Sequence, residues 1–380
     1  MVNSEWSPAA PAVLSSAPGS FPWSVLHDRH PALIEKVRDG LPYPPERSRA
    51  LDALAEEITG AIRPLGRSAH DHDVWAEWGR DYFGERWYDV PFLWAESFFY
   101  RKLLDAVGYF APGEWQGVDP FEPVKSAELR SAALADELAV LRGLTADERD
   151  AGLLTASLWG NQADLGFQLG QVAGGRASAL VVDQSAALWS LLDGAGTVCV
   201  VADNSGRELV PDLLLADHLL GTGRAARIVL HVKAYPYFTS DATMADVLAC
   251  LRRLSETEEA GGRLWRAMRE GDLVVRAHPF SCAPWSYHHM PADLAAEFAA
   301  ASVTIMKGDL NYRRLVGDCS WQADTPFEKV TEYFPGPVVA VRTCKSDVVV
   351  GVPPEVLARL DATGESWRTN GAHALLQVSR

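Results

Sequence analysis

The stretch Val198–Leu220, VCVVADNSGRELVPDLLLADHLL, runs from buried-strand residues through Asp203-Asn204 into the spacing of an apolar helix. A valine-rich run that halts at two short polar side chains and restarts with helical periodicity is the strand, turn and helix unit of an open α/β sheet. Ligands of such sheets bind outside the carboxyl ends of the strands. Asp203 and Asn204 stand at that place.

Outward from this stretch the same alternation repeats from about residue 152 onward. TVCVVADN, ARIVLHVKA, DLVVRAHPF, SVTIMKGD and PVVAVRTCK read as strands, with VPDLLLADHLL, TMADVLACLRRL and PADLAAEFAA as helices among them. This predicts an α/β fold, a three-layer αβα, Rossmann-like arrangement around a mostly parallel sheet. Between residues 31 and 144 the periodicity is helical throughout, as in SRALDALAEEITGAI and FLWAESFFYRKLLDAVGYF. The expected organisation is therefore a disordered tail over 1–19, an all-helical N-terminal subdomain over 20–150 and an α/β metal-binding catalytic domain over 151–380.

Composition narrows the class of function. The chain has 380 residues, 48% of them hydrophobic, which is ample for a buried core. Its 35 Lys+Arg against 50 Asp+Glu give a net charge of −15, which argues against sequence-independent contact with nucleic acid or an anionic membrane. Small anionic substrates remain compatible, because they respond to the field inside a pocket. No apolar run reaches the roughly 18 residues of a spanning helix, and the N-terminus lacks a signal-peptide pattern. A cytoplasmic location is expected. The five cysteines are widely spaced without a C-x-x-C pair, so they read as buried, reduced thiols.

Four strand ends carry the chemistry. Asp203 and Asn204 end one, with Gly206 relaxing the turn before Glu208; Ser240-Asp241 precede a helix after the next. Lys307, Asp309, Asn311 and Arg313 follow SVTIM, and Lys345 follows PVVAVRT. Carboxylate and amide oxygens from Asp203, Asn204 and Asp241 suit a hard divalent cation with open positions. Arg313 and Lys345 suit phosphate oxygens. An aspartate opening a helix is also an ordinary N-cap, and both readings stand for Asp203 and Asp241 at this level.

Other motifs fail. Ser205 occupies the place where an Asp-x-Asp phosphatase needs its second aspartate, and no G-x-x-x-x-G-K-[ST] occurs. Gly194 and Gly196 precede their strand, so they do not form a dinucleotide or S-adenosylmethionine loop. His70-Asp71-His72-Asp73 reads as a solvated turn and His288-His289 as an exposed loop.

The segments DNSGRELVPDLLLADHLL, LWGNQADLGF, SDATMAD, KGDLNYRRLVGDCSW and RTCKSDVVVG together resemble the damage-control phosphatase family. The similarity is to the branch that includes a proposed acidic-residue methyltransferase, and it runs from about Gly19 to Gln377. It implies a metal-dependent phosphomonoesterase of small phosphorylated metabolites, with sugar phosphates such as fructose 1-phosphate as typical substrates and Mn²⁺, Ni²⁺, Co²⁺ or Mg²⁺ as cofactor. By the same resemblance the metal ligands are Asp203, Asn204 and Asp241. The substrate-binding run falls on Asp309, Leu310, Asn311, Tyr312 and Arg313, the late lysine on Lys345, and Glu208 and Asn161 join the pocket with Asp164 nearby. Ser346 departs from the family's usual alanine after that lysine. The alternative implied is S-adenosylmethionine-dependent methylation of protein glutamate.

Overall fold

The computed structural model describes residues 9–160 and 180–380. Among the described residues seven strands form one sheet: β1 (Leu180–Asp183), β2 (Ala195–Val201), β3 (Ala225–His231), β4 (Leu273–Arg276), β5 (Val303–Lys307), β6 (Val338–Thr343) and β7 (Ala374–Ser379), in the spatial order β1-β7-β6-β5-β2-β3-β4. The pairings among β6, β5, β2, β3 and β4 are parallel. β7 runs antiparallel to β6 and parallel to β1. The fold is α/β with a mostly parallel sheet, as the alternation of elements implies.

The five valine-rich runs are β2 to β6. β5 is buried at every position, and β2 and β3 are buried over their last four residues, as strands covered on both faces must be. β1 and β7 were not read from the sequence. Two hydrophobic clusters lie on either side of the sheet, one containing Val198, Ile228 and Leu213, the other Cys199, Met306 and Tyr312. Alternate residues of β2 thus face opposite layers, as period-two geometry requires.

A third cluster belongs to the helical part: Ile34, Leu51, Trp75, Trp94, Phe98 and Leu103 pack with Tyr237 and Leu310 from the α/β part. The helix Phe92–Val107 runs through it and is buried on nearly every face, ending at left-handed Gly108. The expected boundary at residue 150 falls inside the helix Ala146–Trp159. Leu134, Leu138, Leu141 and Leu153 on this and the preceding helix share the core of the sheet, so a boundary at 150 divides elements that pack as one layer.

The expected tail also needs correction. Residues 1–8 lie outside the described residues, but Val13 donates to the Asp318 carbonyl, Phe92 donates to the Val13 carbonyl, and Ser15 is fully buried. These backbone bonds tie the segment to both parts of the molecule. All five cysteines are free and buried, as read. Asp71 is not a solvated turn residue, since Arg101 donates to it through Nε at 2.8 Å and Nη2 at 2.5 Å. His288 stacks on Tyr333 with ring centroids 3.6 Å apart and is only partly exposed.

Candidate metal and phosphate site

The strand order reverses between β2 and β5: the chain leaves β2 towards β3 and β4 and returns on the other side at β5. Both strands end at this switch point, which opens a crevice. Asp203-Asn204 follow β2, and Gly308-Asp309 follow β5. A cavity of about 500 Å³ lies there, bounded by Asp203, Asn204, Asp241, Asp309, Arg313 and Lys345 among others.

Asp203 and Asp241 are not helix caps. The helix after Asp203 begins only at Leu209, and the helix after Asp241 is capped by Thr243, whose hydroxyl and backbone form a capping box with Asp246. Freed from capping, the two aspartates meet across an antiparallel bridge between Asn204 and Asp241. Ala242 donates to the Asp203 carbonyl at 2.8 Å and Ser205 to the Ser240 carbonyl at 2.7 Å. The Ser240 hydroxyl donates to Asn204 Oδ1 at 2.6 Å, while Asn204 Nδ2 donates to Glu208 Oε1 at 2.9 Å and Asp203 Oδ2 at 3.2 Å. The amide is thereby oriented, with its oxygen held beside the Ser240 hydroxyl.

Gly308 makes room for Asp203. Its φ is +81°, and a Cβ placed on it would lie 1.9 Å from Asp203 Cγ. The carboxylate rests against bare backbone at the start of the helix Gly308–Val316, where unpaired N–H groups favour negative charge. The neighbouring turn is strained: Phe238 and Thr239 have φ of +46° and +66°, which for a β-branched residue is a costly conformation. The Tyr100 and Thr239 hydroxyls, 3.1 Å apart, tie that turn to the helical part.

Electrostatics follow from this crowding. Burial and the charges of Glu208 and Asp241 hold the Asp203 carboxyl well above the usual range, with Lys345 and Lys233 offsetting only part. Burial also raises Asp241, against the pull of Lys233, whose Nζ is 3.2 Å from Asp241 Oδ2. This buried ion pair is the one polar contact of Oδ2 among the described residues. Burial disfavours charge on Lys345, but Glu208, Asp203 and Asp309 outweigh it and raise its pKa. Asp309 Oδ1 accepts from the Lys345 backbone N–H at 3.2 Å and lies 3.1 Å from Arg342 Nη2.

No group of three His, Cys, Asp or Glu side chains stands in metal-holding geometry among the described residues. The donors here are two carboxylates and one amide, and the charges of Asp203 and Asp241 repel each other. That set fits a hard divalent ion, which would relieve the repulsion.

The remaining expected residues separate into two groups. Leu310 lines the cavity with Asp309. Asn311 does not: its amide donates to the Ala202 and Lys307 carbonyls, fastening the end of β2 to the end of β5. Tyr312 is in the core, bonded to Gln377 Oε1 at 3.1 Å. Arg313 borders the cavity, but its Nε and Nη2 donate to Asp318 and its Nη1 to Glu96, so it is committed to carboxylates rather than free for phosphate. Lys307 points elsewhere, pairing with Asp212 at 3.1 Å. Asn161 and Asp164 lie outside the described residues. The sequence reading missed Lys233, Glu96 and Tyr100; the four-residue spacing of the last two puts them on one face of their helix, a signal hidden within its aromatic run.

A doubly wound sheet with oxygen donors and a lysine at its switch point defines an α/β protein with a polar crevice at the carboxyl ends of its strands. The profile of the damage-control phosphatase ARMT1-like domain matches residues 25–360, and the chain belongs to that family. Similar proteins include the damage-control phosphatase ARMT1 of Rattus norvegicus, 30% identical with 97% of this chain and 98% of that protein covered. The Homo sapiens protein of the same name is 29% identical with the same coverage. The crystal structure of a DUF89 family protein from Pyrococcus horikoshii shares the fold, with a TM-score of 0.53, 15% identity and coverage of 94% of this chain and 98% of that one. The family is one of enzymes that hydrolyse phosphate esters.

Proposed function

We propose that this protein is a divalent-metal-dependent phosphomonoesterase of small phosphorylated metabolites, with sugar phosphates such as fructose 1-phosphate as the substrate class. The observation that carries this is the bridging of Asp203, Asn204 and Asp241 at one switch-point cavity that also contains Lys345.

Asp203, Asn204 and Asp241 would hold the ion, which supplies Lewis acidity and a water of lowered pKa. The Lys345 ammonium, already stabilised in its charged form by three carboxylates, binds phosphate oxygens and offsets the charge that develops on them. Asp309 takes the proton of the attacking water; its Oδ1 is held by Lys345 N–H and Arg342, and no described group bonds its Oδ2. Glu208 fixes the Asn204 amide. Arg313 is a positioning residue, bracing Glu96 beside the cavity. Most of the barrier reduction in phosphoryl transfer comes from such placement and charge.

The test is release of phosphate from fructose 1-phosphate with Mn²⁺, Ni²⁺, Co²⁺ or Mg²⁺ supplied in turn. Asp203→Ala and Asp241→Ala should each lower kcat/KM by on the order of 10³-fold or more. Undiminished turnover in either variant removes that residue from the site.

A further inference from the structure

The cavity is larger than a phosphate group needs, and its far wall comes from the helical part. About 500 Å³ is within the range of sites that enclose a whole small molecule, ~300–1,000 Å³. Val25, Arg29, Leu33 and Lys36 line it at helical spacing, one face of the segment Val25–Gly40. Arg29 and Lys36 are exposed, and neither forms an ion pair with a described residue. Arg29 is not splayed into solvent: it lies over the Phe21 ring at 5.1 Å, and its charge is felt at Tyr100.

Between these cations stands His30, which also lines the cavity. It is 1% exposed, stacked on Phe99 with centroids 3.6 Å apart, and neither ring nitrogen has a hydrogen-bond partner. Both nitrogens are closed off from solvent, so the ring packs as part of the wall and makes no hydrogen bond to a ligand in the cavity. Burial lowers its pKa to about 3, so the ring is neutral and leaves the charge of this wall to Arg29 and Lys36. In a chain of net charge −15, two cations without an ion-pair partner among the described residues on the helical part of the cavity wall favour an anion there.

We infer that Arg29 and Lys36, on either side of the neutral His30 ring, form a distal subsite for a second anionic group, phosphate or carboxylate, so that the preferred substrates are phosphomonoesters with an anion at each end. This rests on the phosphatase reading, with the scissile phosphate at Lys345.

The experiment compares kcat/KM for fructose 1-phosphate, fructose 1,6-bisphosphate and 6-phosphogluconate in the wild type and in Arg29→Ala/Lys36→Ala. The wild type should favour at least one two-ended ester by about tenfold or more, through KM, and the double variant should bring the ratio close to one. Preference for the bisphosphate alone assigns a phosphate to the subsite, and preference shared by 6-phosphogluconate assigns any anion. A wild-type ratio near one, or a ratio unmoved by the double variant, overturns the subsite while leaving the phosphatase reading intact. Failure to hydrolyse any of the three instead removes the phosphatase reading. Thermal shifts then decide: extra stabilisation by the two-ended esters that the double variant erases supports the subsite, and equal shifts overturn it.

Discussion

Gly308 shows how much a single methyl group can decide. Gly308→Ala would force its Cβ into the Asp203 carboxylate and place alanine at φ +81°, a backbone cost of about 1–3 kcal/mol. Such a protein should fold, yet bind Mn²⁺ at least ~10-fold more weakly and lose on the order of 100-fold in kcat/KM. Calorimetric titration with Mn²⁺ checks this, and unaltered affinity would remove the Asp203 carboxylate from the ion. This glycine sits between Lys307 and Asp309, both singled out by their charge, and was passed over because its importance is the space it leaves. Glu96 gives a second prediction. Burial raises its carboxyl to about 7 despite Arg313, whereas unfolding returns it to the ordinary range. Its favourable contribution is therefore complete below about pH 4.5 and is lost as pH rises through about 7. Glu96→Gln should flatten the stability profile between pH 5 and 8, as measured by denaturant melts across that range; an unchanged slope would show that Glu96 does not titrate there.

Among the elements, capping was the ambiguity that sequence could not resolve. Asp203 and Asp241 each precede a helix, and only the observed helix starts, at Leu209 and Met244, show that neither is a cap. Thr243→Ala should accordingly cost about 1 kcal/mol of stability with little loss of turnover. A large loss of activity at full stability would instead place Thr243 within the chemistry. β2 to β6 were legible because short valine-rich runs without helical periodicity cannot be mistaken for amphipathic helices. β1 and β7 were not, since LVVD is four residues long and ALLQVS has a composition that suits a helix equally well; pairing with neighbours decides it. The D-L-N-Y-R run was half legible. Its charges placed it at a strand end, but the direction of each side chain is set by helical geometry, which turns Asp309 and Leu310 to the cavity and Asn311 and Tyr312 into the core.

At the scale of the molecule, the site joins the ends of β2 and β5 to a helical part with its own aromatic core. An ion that binds only this assembled state stabilises it by mass action, about 2.7 kcal/mol at 100 times its Kd. The melting temperature should rise on adding Mn²⁺ to chelator-treated protein, and the rise should shrink in Asp203→Ala. An equal rise in both would locate the binding elsewhere. The helical part was legible as helix, but not as a wall of the cavity, because lining residues such as Phe21, Val25 and Leu33 look like ordinary core residues until the two parts are seen together.

The placement of β7 between β1 and β6 bears on how the chain is made. Among the described residues β1 has no other strand partner, so after leaving the ribosome it waits for residues 374–379 before it can make this pairing. At roughly 5–20 residues per second that interval is on the order of 10–40 s. During it the flank of β6 that β7 will cover is also open, leaving a nascent sheet with an exposed row of backbone donors and acceptors, a stage at which chaperone protection has the most to offer.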